Sequence, residues 1–191
     1  HTYYAKYESG ASQKQITNGF LYDDSFFSES ATAGIHQGLA TASVNVASVA
    51  YEGEDAIKRL LGKNNLEFSN LESKNYTREP TETDNDFVAY TFGKKEITVD
   101  GKPYNLIVVA IRGTKADLAW LSNVNMGESG TDHLGFRLAA NELYANLETY
   151  CANKELNVSN TKFWITGHSR GAAVANMIAE KLTKEYLDSM D

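Results

Sequence analysis

Thr161-Lys162-Phe163-Trp164-Ile165-Thr166-Gly167-His168-Ser169-Arg170-Gly171-Ala172-Ala173-Val174-Ala175 decides how this chain is read. Phe163 to Thr166 is aromatic and β-branched and predicts a short strand. Beyond Gly171, Val174, Ile178, Leu182 and Tyr186 recur every four residues, with Glu180 and Lys184 on another face, and predict a helix. Gly-x-Ser-x-Gly stands between them, so the chain must leave a strand and enter a helix within a few residues. Such a bend forces Ser169 into a strained backbone conformation, and side chains two positions before and after it would collide. Gly167 and Gly171 remove those side chains. The Ser169 hydroxyl is then held above the sheet edge, near the N–H groups of the helix's first turn, which can face a developing negative charge on oxygen. With 14 glycines in 191 residues, the five-residue pattern alone is weak. The strand before it and the helix after it separate it from an ordinary tight turn.

Working outward, Phe136 to Cys151 is the clearest helix: Phe136, Ala140, Leu143, Leu147 and Tyr150 mark one face at alternating spacings of four and three. Before it, Asn123 to Thr131 is a loop, and Lys115 to Ser122 holds a short amphipathic pattern in Leu118, Trp120 and Leu121. Tyr104 to Ile111 is almost continuously apolar, as a central strand covered on both faces would be. It ends at Arg112-Gly113-Thr114, a second candidate for chemistry. Asp100-Gly101 predicts a tight hairpin from the strand-like segments Phe87–Phe92 and Glu96–Val99. The second half therefore alternates strand, helix, strand, helix. That alternation predicts an α/β layer with parallel strands, whose carboxyl ends bring Thr114 and Ser169 to one edge.

The first half is less regular. Residues 1–30 predict an irregular lead-in with at most one short strand. Ala31 to Tyr51 predicts a helix weakened by Gly34 and Gly38, and Glu54 to Leu61 a second one stopped by Gly62. Leu66 to Leu71 reads as a short strand and Ser73 to Asp86 as an exposed loop. His36 has no second potential metal ligand at a supporting spacing and reads as a surface or core-edge residue; no metal site or cofactor is expected.

At 21.1 kDa and 42% hydrophobic residues the chain suits a single domain, residues 1–191, with a real core. A net charge of −7 and a pI near 5.1 argue against nucleic acid as the main partner. A neutral or small substrate fits better. Cys151 is the only cysteine, which rules out an intrachain disulfide and a cysteine-based metal cluster. No apolar run approaches the ~18 residues of a membrane span. A chain that opens on His1 in place of Met reads as processed, which tilts the expectation toward a secreted or cell-surface location.

Ala110-Ile111-Arg112-Gly113-Thr114, then Trp120, then His133-Leu134-Gly135-Phe136, then Ile165 to Ala173 resemble, in order and spacing, the class 3 or fungal-lipase-like lipases among the α/β-hydrolases. The resemblance covers about residues 87–188. It implies Ser169 as nucleophile and the backbone N–H of Arg170 as one oxyanion donor. Thr114 would supply the second donor, each such donor being worth about 3 kcal/mol in the transition state. Leu118, Trp120 and Leu121 fall where family lipases carry a lid, and His133 falls at a structural position. His168 is rejected as the base, because adjacent residues at a sharp elbow point apart.

Two features depart from the family. Arg170 follows the serine where Leu is common. In addition, the family's acid and base follow the serine in the order Ser, Asp, His, whereas 22 residues follow Ser169 here and one helix consumes them. Removing the triad from a comparable hydrolase costs on the order of 10⁶ in turnover. The expectation is therefore an α/β-hydrolase-type sheet with flanking helices, incomplete at the C-terminus, with the triad-bearing part absent or supplied by a second polypeptide. The function expected is cleavage of carboxylic, acylglycerol-like esters through an acyl-enzyme on Ser169. The alternatives are a phospholipase or acyltransferase using the same serine, and a binding or scaffold protein that keeps the fold without the chemistry.

Overall fold

In the computed structural model the described residues are 2–6, 16–63, 65–78, 87–113 and 131–188. The chain opens with an antiparallel pair, β1 (Thr2–Lys6) and β2 (Ile16–Leu21), followed by a 3₁₀ turn at Asp24–Phe27. Helices α1 (Glu29–Thr32), α2 (Gln37–Val49) and α3 (Glu54–Leu61) follow, with a 3₁₀ turn at Ala50–Glu52 between the last two. Then come β3 (Ser69–Lys74), β4 (Tyr90–Val99), β5 (Lys102–Ile111), α4 (Thr131–Ala152), β6 (Thr161–Gly167) and α5 (Arg170–Asp188).

The main sheet runs β3-β4-β5-β6. β5 and β6 are parallel, as the alternation requires, with Ile111 opposite Gly167. The other two pairings are antiparallel, so the parallel arrangement expected of the alternating second half holds for β5 and β6, the hairpin expected at Asp100-Gly101 joins β4 to β5, and the sheet as a whole is mixed. The reason is local. The two-residue turn Asp100-Gly101, with φ of +53° and +72°, folds β4 straight back onto β5, and a two-residue loop can only join antiparallel strands.

Side-chain alternation along β5 divides the core. Leu106, Val108 and Ala110 face the layer built by α2 and α3, where they meet Ala42, Val46, Ile57 and Leu61. Ile107, Val109 and Ile111 face α4 and α5 and meet Leu143, Leu147, Val174 and Ile178. Burying each large side chain of this run is worth roughly 1.5–3 kcal/mol, which anchors the strand at the middle of the molecule. The carboxyl ends of β5 and β6 are thereby fixed side by side.

Several first-half expectations change. The lead-in contains two paired strands. The single helix from Ala31 is interrupted at residues 33–36, where Gly34 lies and where His36 caps the second piece by accepting from the Leu39 N–H through Nδ1 at 3.1 Å. The strand expected at Leu66–Leu71 begins at Ser69, and its continuation to Lys74 replaces the start of the expected loop. Phe87–Phe92 and Glu96–Val99 belong together, with one continuous strand through Gly93-Lys94-Lys95. The amphipathic segment with Leu118, Trp120 and Leu121, read as a lid position, and Thr114 itself lie outside the described residues.

Candidate active site at the serine elbow

β6 ends at Gly167 and α5 begins at Arg170, so two residues make the whole bend. Ser169 has φ +55°, the left-handed region that costs an L-residue about 1–2 kcal/mol. The glycines around it are required by close approach. A Cβ on Gly167 would lie 2.5 Å from the Gly171 carbonyl oxygen, and one on Gly171 would lie 2.7 Å from that of Ile111. The elbow is thus pressed both against itself and against the end of β5.

Helix α5 uses most of its first-turn N–H groups internally. Gly171 N–H donates to His168 O at 3.0 Å, while Ala172 and Ala173 donate to Ser169 O at 2.9 and 3.3 Å. Three N–H groups of the first turn are therefore engaged within the elbow and the helix, so the expectation that the whole first turn faces an oxyanion is too broad. The Arg170 guanidinium lies 5.2 Å over the Phe136 ring, which directs this departure from the usual Leu toward α4.

Arg112, at the end of β5, is 4% exposed. Its backbone N–H donates to Ala89 O at 2.8 Å, its Nη1 to Tyr76 O at 3.4 Å, and its guanidinium lies 5.3 Å over the Tyr76 ring. Of the residues in the Arg112-Gly113-Thr114 candidate, Arg112 is turned into the protein and Gly113 lies against the elbow: a Cβ there would sit 2.5 Å from His168 O and 2.0 Å from the Tyr51 hydroxyl oxygen. Tyr51 in turn places its hydroxyl 3.0 Å from His168 Nδ1. Burial raises the Tyr51 phenol above its ordinary range, with the nearby Arg112 charge opposing the shift, so the phenol keeps its proton at neutral pH.

Sequence reading missed Tyr51, and no periodicity signals a contact across 117 positions. The four histidines are accounted for as follows: His36 caps α2 and His168 is engaged by Tyr51, whereas His1 and the side chain of His133 lie outside the described residues. Among the described residues no histidine or carboxylate is hydrogen-bonded to the Ser169 hydroxyl, and no cluster of three His, Cys, Asp or Glu could hold a metal. No helix among them is long and apolar enough to cross a membrane.

A mixed α/β fold with a serine held at a strand-to-helix elbow beside a second strand end defines a class of hydrolase-like proteins. Residues 108–190, somewhat less than half of the chain, match the model of the class 3 lipases, so this segment is similar to that family. Over 86 aligned residues it is 35% identical to the secreted mono- and diacylglycerol lipase 1 of Fusarium solani. The match takes in 41% of this chain and 26% of that relative, so the chain spans about a quarter of the curated relative's length. No solved structure matches it.

Proposed function

We propose that the protein is a serine hydrolase of lipase type, acting on carboxylic esters of the acylglycerol kind through an acyl-enzyme on Ser169. The observation that carries this reading is the left-handed Ser169 between two glycines that no larger residue could replace without displacing backbone. The family match and the printed activity of the Fusarium solani relative support the substrate class.

In this mechanism the Ser169 oxygen attacks the ester carbonyl carbon while a base removes its proton. The carbonyl oxygen becomes an oxyanion, received by the N–H of Arg170 and by Thr114. Collapse expels the alcohol, which takes the proton, and water repeats the sequence to release the acid. The base is a histidine from a part of the protein beyond the described residues or from a second polypeptide. A secreted location goes with the reading, since the relative is described as secreted.

The test is fluorophosphonate labelling of the protein from its native source, with intact mass and mapping of the modified residue. A label on Ser169, together with loss of ester turnover in Ser169→Ala, is the expected result. Folded protein that takes no label would point instead to a non-catalytic relative.

A further inference from the structure

The strand that carries the serine is fastened to α2 along one face. Alternate residues of a strand share a face, and Trp164 and Thr166 of β6, followed by His168 just beyond its end, make polar bonds to the same side. Trp164 Nε1 donates to Ser43 Oγ at 2.8 Å, Thr166 Oγ1 donates to the Ser43 carbonyl at 2.8 Å, and His168 Nδ1 meets the Tyr51 hydroxyl at 3.0 Å. Ser43 Oγ donates its own hydrogen bond to Leu39 O at 2.7 Å, which leaves it an acceptor for Trp164. The first two rungs set the register of α2 on β6. The third reaches the elbow.

Tyr51 touches the elbow at a mechanically sensitive place. Its hydroxyl lies 3.0 Å from the His168 ring and 3.5 Å from the His168 carbonyl oxygen, and the same carbonyl accepts from Gly171 N–H at 3.0 Å. That carbonyl belongs to the peptide joining His168 to Ser169, and rotation of this peptide about the Ser169 N–Cα bond is the φ angle held at +55°. The left-handed conformation is uphill for serine, so something must hold the peptide in place. Gly113 leaves the space that the Tyr51 hydroxyl fills. One phenol therefore bears on both strand ends beside the candidate nucleophile.

We propose that Tyr51 is a positioning residue of the elbow: by donating to the carbonyl of the His168–Ser169 peptide and accepting from His168 Nδ1, its hydroxyl braces that peptide and fixes the direction of the Ser169 hydroxyl. The inference rests on the reading of Ser169 as nucleophile. With its one proton donated to the His168 carbonyl, the Tyr51 oxygen accepts from the ring, which assigns the ring proton to Nδ1. The exposed His168 ring is the lever through which Tyr51 acts, and it has no proton-transfer role.

The experiment compares Tyr51→Phe, His168→Ala and the double variant in the full-length polypeptide, reading the saturating rate and half-saturating concentration of fluorophosphonate labelling separately. Tyr51→Phe is expected to slow the saturating rate about tenfold with the half-saturating concentration unchanged, because a misdirected nucleophile loses transition-state and not ground-state interactions. His168→Ala should show a similar loss and the double variant no more than either alone. Nitrogen NMR should find the neutral His168 ring with its proton on Nδ1 in the parent and as a mixture of the two tautomers in Tyr51→Phe. Parental rates in Tyr51→Phe, or losses that multiply in the double variant, overturn the proposal. If Tyr51→Phe does not fold, His168→Ala decides alone: slowed labelling supports the bracing role and a parental rate refutes it. A label that persists in Ser169→Ala removes the nucleophile reading itself, and this inference with it.

Discussion

A side-chain carbon placed on Gly171 falls 2.7 Å from the carbonyl oxygen of Ile111, so the first turn of α5 rests directly on the backbone at the end of β5. The contact joins the two strand ends that form the candidate site. Gly171→Ala must lift the helix or bend the strand. A loss of about 1–3 kcal/mol is expected from overpacking, measured by urea unfolding. Serine labelling should fall about a hundredfold, since the elbow shifts with the helix. Gly34→Ala is the matching control, because a Cβ there meets nothing within 4 Å.

The strain at Ser169 can be measured apart from its chemistry. Ser169→Ala and Ser169→Gly both remove the hydroxyl, but only alanine retains the left-handed penalty at φ +55°. The glycine variant recovers about 1–2 kcal/mol in the folded state and gives back about 0.5–1 kcal/mol through its freer unfolded chain. It should therefore be the more stable of the two by about 0.5–1 kcal/mol in paired thermal melts. Equal stability would mean that the elbow relaxes when the hydroxyl is gone.

The features legible in the sequence are those fixed by short-range rules. Tyr104–Ile111 reads as a covered strand because it is almost continuously apolar, and in the structure Leu106 to Ile111 are fully buried while Tyr104 and Asn105 are half-buried. Asp100-Gly101 reads as a tight turn because that pair tolerates positive φ, and both residues have it. The elbow is legible for the same reason, as its glycines stand where backbones touch. By contrast, β4 reads as two pieces because Gly93-Lys94-Lys95 looks like a break. Neighbours that sequence order does not reveal repair it: Lys95 is held by Asp24 at 2.8 Å and Glu67 at 3.6 Å, while Leu71 and Phe68 close over Gly93. Tyr51 stayed invisible because its meaning depends on two strand ends far along the chain.

The middle of the α2–β6 seam offers a stability test away from the serine. Trp164 is 3% exposed, and its indole N–H donates to Ser43 Oγ at 2.8 Å. Ser43→Ala strands that buried donor, which costs about 1–3 kcal/mol, more than the net value of the bond itself. Ser43→Thr retains an acceptor and should lose less. Urea midpoints with unchanged slope would assign the loss to the folded state.

Cys151 lines a cleft of about 550 Å³ between α4, β6 and α5, together with Leu147, Leu156, Phe163, Ile165 and Leu182. The cleft runs along Thr161, Phe163 and Ile165 of β6 and the later turns of α5, from Ala179 to Glu185, away from the end of that helix next to Ser169. Burial pushes the thiol up to about 11, with Lys154 opposing and Glu148 adding to the shift. Since the thiolate is the reactive form, alkylation by iodoacetamide at pH 7.5 should be about a hundredfold slower than for an ordinary exposed cysteine. Its rate should climb about tenfold per pH unit toward 11, as simple deprotonation requires. The sign for stability follows from the same shift. Between pH 9 and about 11 the unfolded thiol has lost its proton and the folded one has not, so this group's contribution to stability is complete below 9 and declines across that interval. Rapid, pH-insensitive alkylation at neutral pH would contradict the half-buried, desolvated thiol and show that the cleft opens readily to solvent.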